Sequence, residues 1–349
     1  MAHATRPRGS VTIKDVAKKA GTSIATVSYV FSNVERYLRP ELRERVLQAA
    51  AEIGYVKNAA ASSLKGKRRG ILAVVVAQFG NTFFTRMCVE IVSIARQEGY
   101  VVTLCNSEED LQQERIILER LIAQRIDGCI LCPAFSRSDN VELLRRHNVP
   151  YVVLERSLEA EAPLYPFVGH DNFQSGYLAT KTLLDAGHRK IAFLGWDAPI
   201  PNVRERVDGY STAMRERGLN ESEQLIMLDE LSMDAGRLMA EKLDLDKVSA
   251  VVLGHHESAK GVLLHFQEKG VVWPGKVSVV LIGTPEWTEM LRPRLTCVKR
   301  PEQQMGQAAA QALLEKMNDP QKSVQSRVFP CTLQPGQSVA EFNQEGKEL

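Results

Sequence analysis

Nowhere in these 349 residues does an apolar run approach the roughly 18 positions that a membrane-spanning helix requires. Residues 1–10 are polar and basic, without the apolar stretch of a secretory signal. Cysteines are few and scattered: Cys88, Cys105, Cys129, Cys132, Cys297 and Cys331. A membrane protein or a disulfide-stapled secreted fold is therefore not expected; a cytoplasmic protein with reduced thiols is. Only Cys129 and Cys132 have the spacing of a metal-ligand pair. Their segment, Asp127-Gly128-Cys129-Ile130-Leu131-Cys132-Pro133, reads as a buried strand with no second pair nearby, so they are expected in the core. His-Glu-x-x-His spacing is missing, as are a recognisable nucleophile with its base and a glycine loop for phosphate. No metal, cofactor or catalysis is expected. The last residues carry no leucine heptads, which argues for a dimer over a tetramer built on a coiled coil.

What is present begins with an uneven charge. The formal net charge of +2 hides a split. Residues 1–70 hold 14 Lys and Arg against five Asp and Glu, while the rest holds 30 against 37. A basic head on an acidic body is the footprint of a chain that grips phosphate with one end. The length suits two or three domains, each able to bury a core.

Within the basic head, Ile13, Val16, Ala17 and Ala20 fall at i, i+3, i+4 and i+7, so a first helix has one apolar face. Gly21 follows, where a helix can end with positive φ. Ser23 can cap a second helix. Val27, Val30 and Phe31 point inward in that helix, and Ile24, Ala25, Ser28 and Tyr29 largely outward. This is a helix-turn-helix, whose common use is to lay the second helix in the major groove of DNA. A third helix begins at Pro40-Glu41 and runs to Ile53, where Gly54 can end it. Asn58 can cap a short helix over residues 59–65 that Gly66 ends. At about seven residues it is marginal alone in water and is expected to fold only when something holds it.

From residue 71 onward, strand and helix patterns alternate. Strands are expected at 71–77, 101–105, 128–132, 151–154, 191–194, 225–228, 250–253 and 277–281. Helices are expected at 84–98, 111–124, 141–147, 173–186, 203–217, 235–243 and 258–269. Such alternation predicts an α/β fold of parallel sheets with helices on both faces, and so many units predict two lobes. Ligands of open α/β sheets bind beyond the carboxyl ends of the strands, so two facing lobes make a cleft that can close.

The head motifs are Thr12-Ile13-Lys14-Asp15-Val16-Ala17, Ala20-Gly21-x-Ser23, Thr26-Val27-Ser28, Glu44-Arg45-Val46, Gly54-Tyr55, and Asn58 to Leu64-Lys65. In the body stand Asn81-x-Phe83-Phe84, Asp127-Gly128, Gly187-His188-Arg189-Lys190-Ile191, Arg206-x-x-Gly209-Tyr210, Leu295-Thr296 and Met305-Gly306. Together they resemble the lactose-repressor/galactose-repressor (LacI/GalR) family of bacterial transcription regulators over nearly the whole chain. The resemblance implies a helix-turn-helix head (1–57) and a hinge helix with linker (58–70). It further implies a two-lobed core like periplasmic sugar-binding proteins (71–337), followed by a polar tail (338–349). The N-lobe would hold about 71–170 and 300–330, and the C-lobe about 171–299 and 331–337. It also implies a homodimer on a near-palindromic double-stranded operator, switched by a small effector, without catalysis or membrane attachment.

Carried over by position, Thr12, Ser23, Ile24, Ala25, Thr26, Ser28, Tyr29, Asn33, Tyr55, Asn58, Ala61, Leu64 and Lys65 would meet DNA. Ile24, Ala25 and Tyr29 hold the base-reading slots, and Tyr29 stands where the family often has an Arg that reads guanine. Ala61 and Leu64 match the minor-groove wedge, which unstacks a base step and kinks DNA. Ser62 replaces a common Arg, and Arg39 replaces a usual Ser or Thr cap. The implied effector residues are Asn81, Phe83, Phe84, Asp171, Arg206, Leu231, His255, His256, Gly283 and Trp287. Gly283 stands where sugar binders of the family often carry Asp, and His255-His256 replaces a frequent Asn-Asp. Losing a carboxylate while keeping Arg206 favours a sugar phosphate, a sugar acid or another small carboxylate over a neutral sugar. For the two histidines, helix cap, solvated pair and ligand contact all stay open. The competing expectation is a ligand-binding protein or sugar-metabolising enzyme with a vestigial head, in which Asp171 and Glu289 would pair.

Overall fold

The computed structural model describes residues 11–31, 38–56, 68–136, 139–158 and 165–342. The chain divides into two compact units, Met1–Arg69 and Gly70–Leu349.

In the first unit, α1 (Ile13–Lys19) starts where the Asp15 carboxylate accepts from the Thr12 N–H at 2.8 Å and the Thr12 hydroxyl at 2.7 Å. Those two bonds hold the Asp15 carboxyl below its ordinary range. Gly21 turns the chain with φ +61°, and the Thr26 N–H donates to Ser23 Oγ at 3.1 Å to start α2 (Ile24–Phe31). Helix α3 (Pro40–Glu52) has Pro at its first position and no side-chain cap from Arg39; Gly54, at φ +63°, follows it. Val16, Ala17, Ala20, Val27, Val30, Val46, Ala49 and Ala50 form the buried core. The expected hinge contacts Asn58, Ala61, Leu64 and Lys65, together with Asn33, lie outside the described residues.

The second unit is two parallel sheets. Sheet one is built from β1 (Ile71–Val76), β2 (Val101–Asn106), β3 (Gly128–Leu131), β4 (Tyr151–Leu154), β5 (Phe167–His170) and β11 (Arg327–Phe329), in the order β11-β5-β4-β3-β1-β2. Helices α4 (Thr82–Gln97), α5 (Leu111–Ala123), α6 (Asn140–Arg146) and α11 (Glu302–Asn318) belong to this lobe. Sheet two holds β6 (Ile191–Trp196), β7 (Leu225–Asp229), β8 (Ala250–Leu253), β9 (Ser278–Ile282), β10 (Thr296–Lys299) and β12 (Thr332–Gln334), in the order β12-β10-β9-β8-β6-β7. Its helices are α7 (Asn172–Asp185), α8 (Pro201–Glu216), α9 (Met233–Lys242) and α10 (His256–Glu268). Among the described strands only β12 runs antiparallel, against β10. The chain passes between lobes after β5, after β10 and after β11.

Central strands β1, β3, β8 and β9 are near-continuous Val, Ile, Leu and Ala because both faces are covered, as a parallel sheet demands. Cys129 and Cys132 are fully buried, and burial pushes both thiols up. In the second lobe, two helix pairs cross at glycine. A Cβ on Gly176 of α7 would stand 2.0 Å from the Arg206 carbonyl oxygen of α8, and one on Gly209 would stand 2.1 Å from that of Phe173. Gly236 and Gly261 join α9 to α10 in the same way.

One boundary is corrected. The polar tail does not begin at 338. Ser338 Oγ donates to the Val279 carbonyl and accepts from the Thr296 N–H at 2.8 Å; Ala340 N–H donates to Ser278 Oγ at 3.0 Å. Phe342 then stacks on His188 at 5.1 Å between ring centroids. Small polar residues at these positions satisfy backbone groups of sheet two, a role that composition alone does not reveal.

Candidate DNA-reading face and effector cleft

On α2, Val27 is 0 % exposed and Val30 8 %, whereas Ile24 is 45 % and Tyr29 36 %. Ala25 and Ser28 are exposed beside them. The helix thus keeps one flank in the core and offers Ile24, Ala25, Ser28 and Tyr29 outward near its N-terminus, the end that a recognition helix turns to base edges. Ser23 and Thr26 share a hydroxyl hydrogen bond at 2.9 Å at that end. Thr12 is engaged with Asp15. Tyr55, carried over as a DNA contact, is half-buried and packs its ring on Phe31 at 5.5 Å against the head core. An aromatic at the end of α3 covers apolar surface that such a small core cannot leave wet.

The carboxyl ends of the two sheets face each other across a cleft. Glu155, directly after β4, adopts φ +68°, a left-handed conformation that a non-glycine residue holds only where its surroundings enforce it. Its carboxylate is fixed from two sides. His170, at the end of β5, lies 3.0 Å away through Nδ1, and Asn202 Nδ2 on α8 of the other lobe donates at 3.0 Å. Burial opposes ionisation of Glu155, but His170, Arg300 and Arg206 outweigh it and hold the carboxyl below its ordinary value. Burial lowers His170 against the pull of the Glu155 carboxylate, which favours the neutral ring. A carboxylate only accepts, so the His170 proton facing it sits on Nδ1, and the buried Nε2 has no hydrogen-bond partner among the described residues.

Opposite stand two arginines. Arg206 on α8 donates from Nε to Asn172 Oδ1 at 2.9 Å and from Nη1 to the Gly254 carbonyl at 3.1 Å. It has no carboxylate partner in the described ion pairs; burial first, then Arg300, lowers it to about 10. Arg300, on the crossing after β10, lies over the Phe83 ring at 3.7 Å, and its buried Nε has no hydrogen-bond partner among the described residues. A Cβ on Gly283 (φ +109°) would stand 3.2 Å from Arg300 Nη2. The left-handed backbone at Gly283 strains any side chain there, and a Cβ would in addition press on Arg300. Arg156 is nearby but committed: it forks onto Glu109 at 2.5 and 2.8 Å.

The remaining predicted residues divide. Asn81 and Asp171 cap α4 and α7. His255 caps α10, its Nδ1 accepting from the Glu257 N–H at 3.2 Å, so its proton sits on Nε2. Burial takes His255 well below the ordinary imidazole range, and it lies 4.4 Å from the His256 ring. Glu257 is pulled down to about 2 by His256 first, with Lys260 adding to it. Phe84, like Phe83, is buried in the N-lobe core, and the two rings meet edge-on. Leu231 sits half-exposed in the turn before α9. Trp287 packs on the C-lobe core with its indole N–H unpartnered among the described residues. Asp171 and Glu289 do not pair; Glu289 lies beside Arg294 at 3.8 Å. No group of three or more potential metal ligands occurs among the described residues.

Residues 12–58 match the profile of bacterial regulatory proteins of the lacI family. Residues 69–334 match that of periplasmic binding proteins and the sugar binding domain of the LacI family. The chain belongs to the LacI family. Catabolite control protein A of Priestia megaterium is 32% identical over 312 residues, covering 88% of this chain and 93% of that protein. The transcriptional repressor PurR of Vibrio parahaemolyticus is 32% identical, covering 91% and 95%. The complex of the regulator CelR with cellobiose superposes with TM-score 0.71 at 25% identity, covering 94% and 99% of the two chains. The lac repressor dimer bound to operator shares the fold at TM-score 0.83 and 23% identity, covering 95% and 99%. This LacI-family chain is a DNA-binding transcription regulator controlled through its ligand-binding core. These relatives are regulators, not enzymes, and no described helix is long and apolar enough to cross a membrane.

The sequence reading missed Glu155, His170, Asn202 and Arg300. His170 adjoins Asp171, which was found. Arg300 follows a short strand whose apolar stretch is broken by polar residues.

Four buried histidines (His170, His188, His255 and His256) all bind protons more weakly than in the unfolded chain. Below about pH 6.5 the unfolded state takes up protons that the folded state refuses, so stability present above that pH is lost as it falls. Glu155, whose folded value is depressed, adds to the loss at lower pH still. The Tm of the core is expected to drop by about 4 °C or more between pH 7.5 and 5.5. Calorimetric scans across that range check this, and a flat Tm contradicts it.

Proposed function

We propose that this regulator is a repressor that binds a near-palindromic operator as a homodimer in the cytoplasm, with a sugar-like or anionic metabolite in the cleft changing its operator affinity. The observation that carries the reading is the head: α2 turns Ile24, Ala25, Ser28 and Tyr29 outward while Val27 and Val30 hold it in place. Dimer formation is supported by the edge strands β2 and β7, which leave Val101, Leu104, Leu225, Ile226 and Leu228 exposed at corresponding edges of the two sheets. CelR is bound to a sugar, cellobiose, and ribose occupies a related LacI-family regulator of Enterococcus faecium at 25% identity and TM-score 0.71, covering 78% of this chain and all of that one. Here Arg206 and Arg300 favour an anionic relative of such ligands. Effector and DNA then alter each other's affinity reciprocally.

Selection of random duplex DNA by the purified protein, with and without sugars, sugar phosphates and sugar acids, tests this. A palindromic site whose enrichment responds to one compound is expected; no enrichment under any condition overturns it. Leu64, outside the described residues, is the proposed wedge. Leu64→Ala is expected to weaken binding to the selected site at least about tenfold more than binding to random duplex, since unstacking is worth a few kcal/mol per step. Equal losses in a gel-shift titration contradict the wedge.

A further inference from the structure

We infer that the cleft selects a hydroxylated monocarboxylate, such as a sugar acid, its carboxylate held between Arg206 and Arg300 and a hydroxyl donated to His170 Nε2. This deepens the proposed function and rests on the cleft being the effector site.

The charge comes first. Around Glu155, Arg206, Arg300 and Arg156 are cations buried at least nine-tenths; the equally buried Glu302 begins α11 and is not among the charges acting on Glu155 or Arg206. Arg156 is matched by its fork onto Glu109. That leaves two guanidiniums against one carboxylate, and the Glu155 oxygens already face His170 and Asn202 at 3.0 Å each. Glu205, beside Arg206 on α8, is half-buried, and burial weakens its ionisation, so it offsets Arg206 only in part. Two like charges so placed are costly until an anion joins them. One added negative charge completes the balance; a phosphate dianion overshoots it.

The placement comes second. Arg206 reaches the Gly254 carbonyl just after β8, and Arg300 crowds Gly283 just after β9. Strands β8 and β9 are hydrogen-bonded neighbours in register, so both guanidiniums stand over adjacent strand ends. Guanidinium forks match a carboxylate in two-bond geometry. The Arg300 guanidinium carbon lies 3.7 Å from the Phe83 ring centroid, so one side of Arg300 is taken up by the ring.

The third point is an acceptor among donors. The Phe83 ring that carries Arg300 also meets His170, at 5.8 Å between centroids. A ligand seated on the arginines therefore extends toward His170. Its Nε2 is buried and unpartnered among the described residues, and as a lone pair it accepts only from a donor. A hydroxyl near the acid supplies one; a simple fatty acid does not. With the lobes as they stand Nε2 is shut off from solvent, so the ligand enters when they part and is enclosed when they close. Asn202 pulling on Glu155 across the cleft ties that closure to the orientation of His170.

Calorimetric titration of the full-length protein with gluconate, galacturonate, butyrate, glucose 6-phosphate, glucose and galactose tests the inference. At least one sugar acid is expected to bind, and its neutral sugar and butyrate roughly a hundredfold more weakly. Arg300→Gln is expected to weaken that sugar acid roughly ten- to a hundredfold, the range for a charge-assisted hydrogen bond, while Arg300→Lys recovers part of it. Circular dichroism melts confirm that both variants fold. The inference is overturned if glucose, galactose or glucose 6-phosphate binds more tightly than every acid, if no acid binds, or if Arg300→Gln matches the wild type. A neutral sugar that shifts operator binding sinks this inference and leaves the proposed function standing; loss of the proposed function shows separately, as no selected duplex.

Discussion

Val27→Asp is expected to abolish operator binding while the core unit still melts as in the wild type. Val27 is 0 % exposed in a head whose buried core is eight small or medium apolar side chains. A head of about 45 residues holds no more than roughly 3–5 kcal/mol of its own. An uncompensated carboxylate in that interior costs several kcal/mol, enough to unfold it. Since Gly70–Leu349 is a compact unit of its own, its calorimetric transition persists. Ser28→Ala, one residue along on the exposed flank, removes a surface hydroxyl and leaves the head folded. Fluorescence anisotropy on the selected duplex, with circular dichroism of both variants, checks the pair. Full binding by Val27→Asp would show that α2 is not anchored through this face.

Gly176→Ala is expected to be among the most damaging methyl groups that can be added to the core. Its Cβ would meet the backbone carbonyl of Arg206 at 2.0 Å, where no rotamer relieves the clash. Overpacking ordinarily costs 1–3 kcal/mol, and contact with backbone in a crossing of two long helices belongs at or above the top of that range, about 3 kcal/mol. Helix α8 must shift, and it carries Arg206, Asn202 and the glycine contact at Gly209. The Tm of the core is expected to fall by roughly 6 °C or more, with ligand response impaired together with it. Ala at Gly80, where a Cβ meets nothing within 4 Å, is the control. A Tm unchanged by Gly176→Ala would mean that the two helices do not touch as described.

Much of the architecture was legible because its signals are local. The period of Ile13, Val16, Ala17 and Ala20, the glycine at 21 and the cap at Ser23 act within a few residues of one another, and the observed α1 and α2 follow them. The long apolar runs of β1, β8 and β9 announced a parallel sheet for the same reason. Strands β5, β10, β11 and β12 escaped notice because polar or glycine residues break their short apolar stretches, whereas the equally short β4 and β8 are wholly apolar. Gly283 was noticed as a missing carboxylate, but its left-handed backbone and its closeness to Arg300, on another segment, were not legible. That Tyr55 packs on the head core and Phe84 in the N-lobe core was not legible, because an exposed contact and a buried ring look alike in a string of letters.

The sequence by itself determined the helix-turn-helix, the basic head, the two-lobed α/β core and the survival of Arg206 where a carboxylate was lost. Each is written in spacing or composition over a short stretch, where local propensity and burial act directly. Only the tertiary structure decided which charges meet. The chain passes between lobes three times, and His170 and Arg300 sit on two of those passes, 130 positions apart in number yet sharing the Phe83 ring. Coulombic and hydrogen-bond energies depend on separations of a few ångströms, and those are fixed by packing two sheets end to end, not by any distance along the chain.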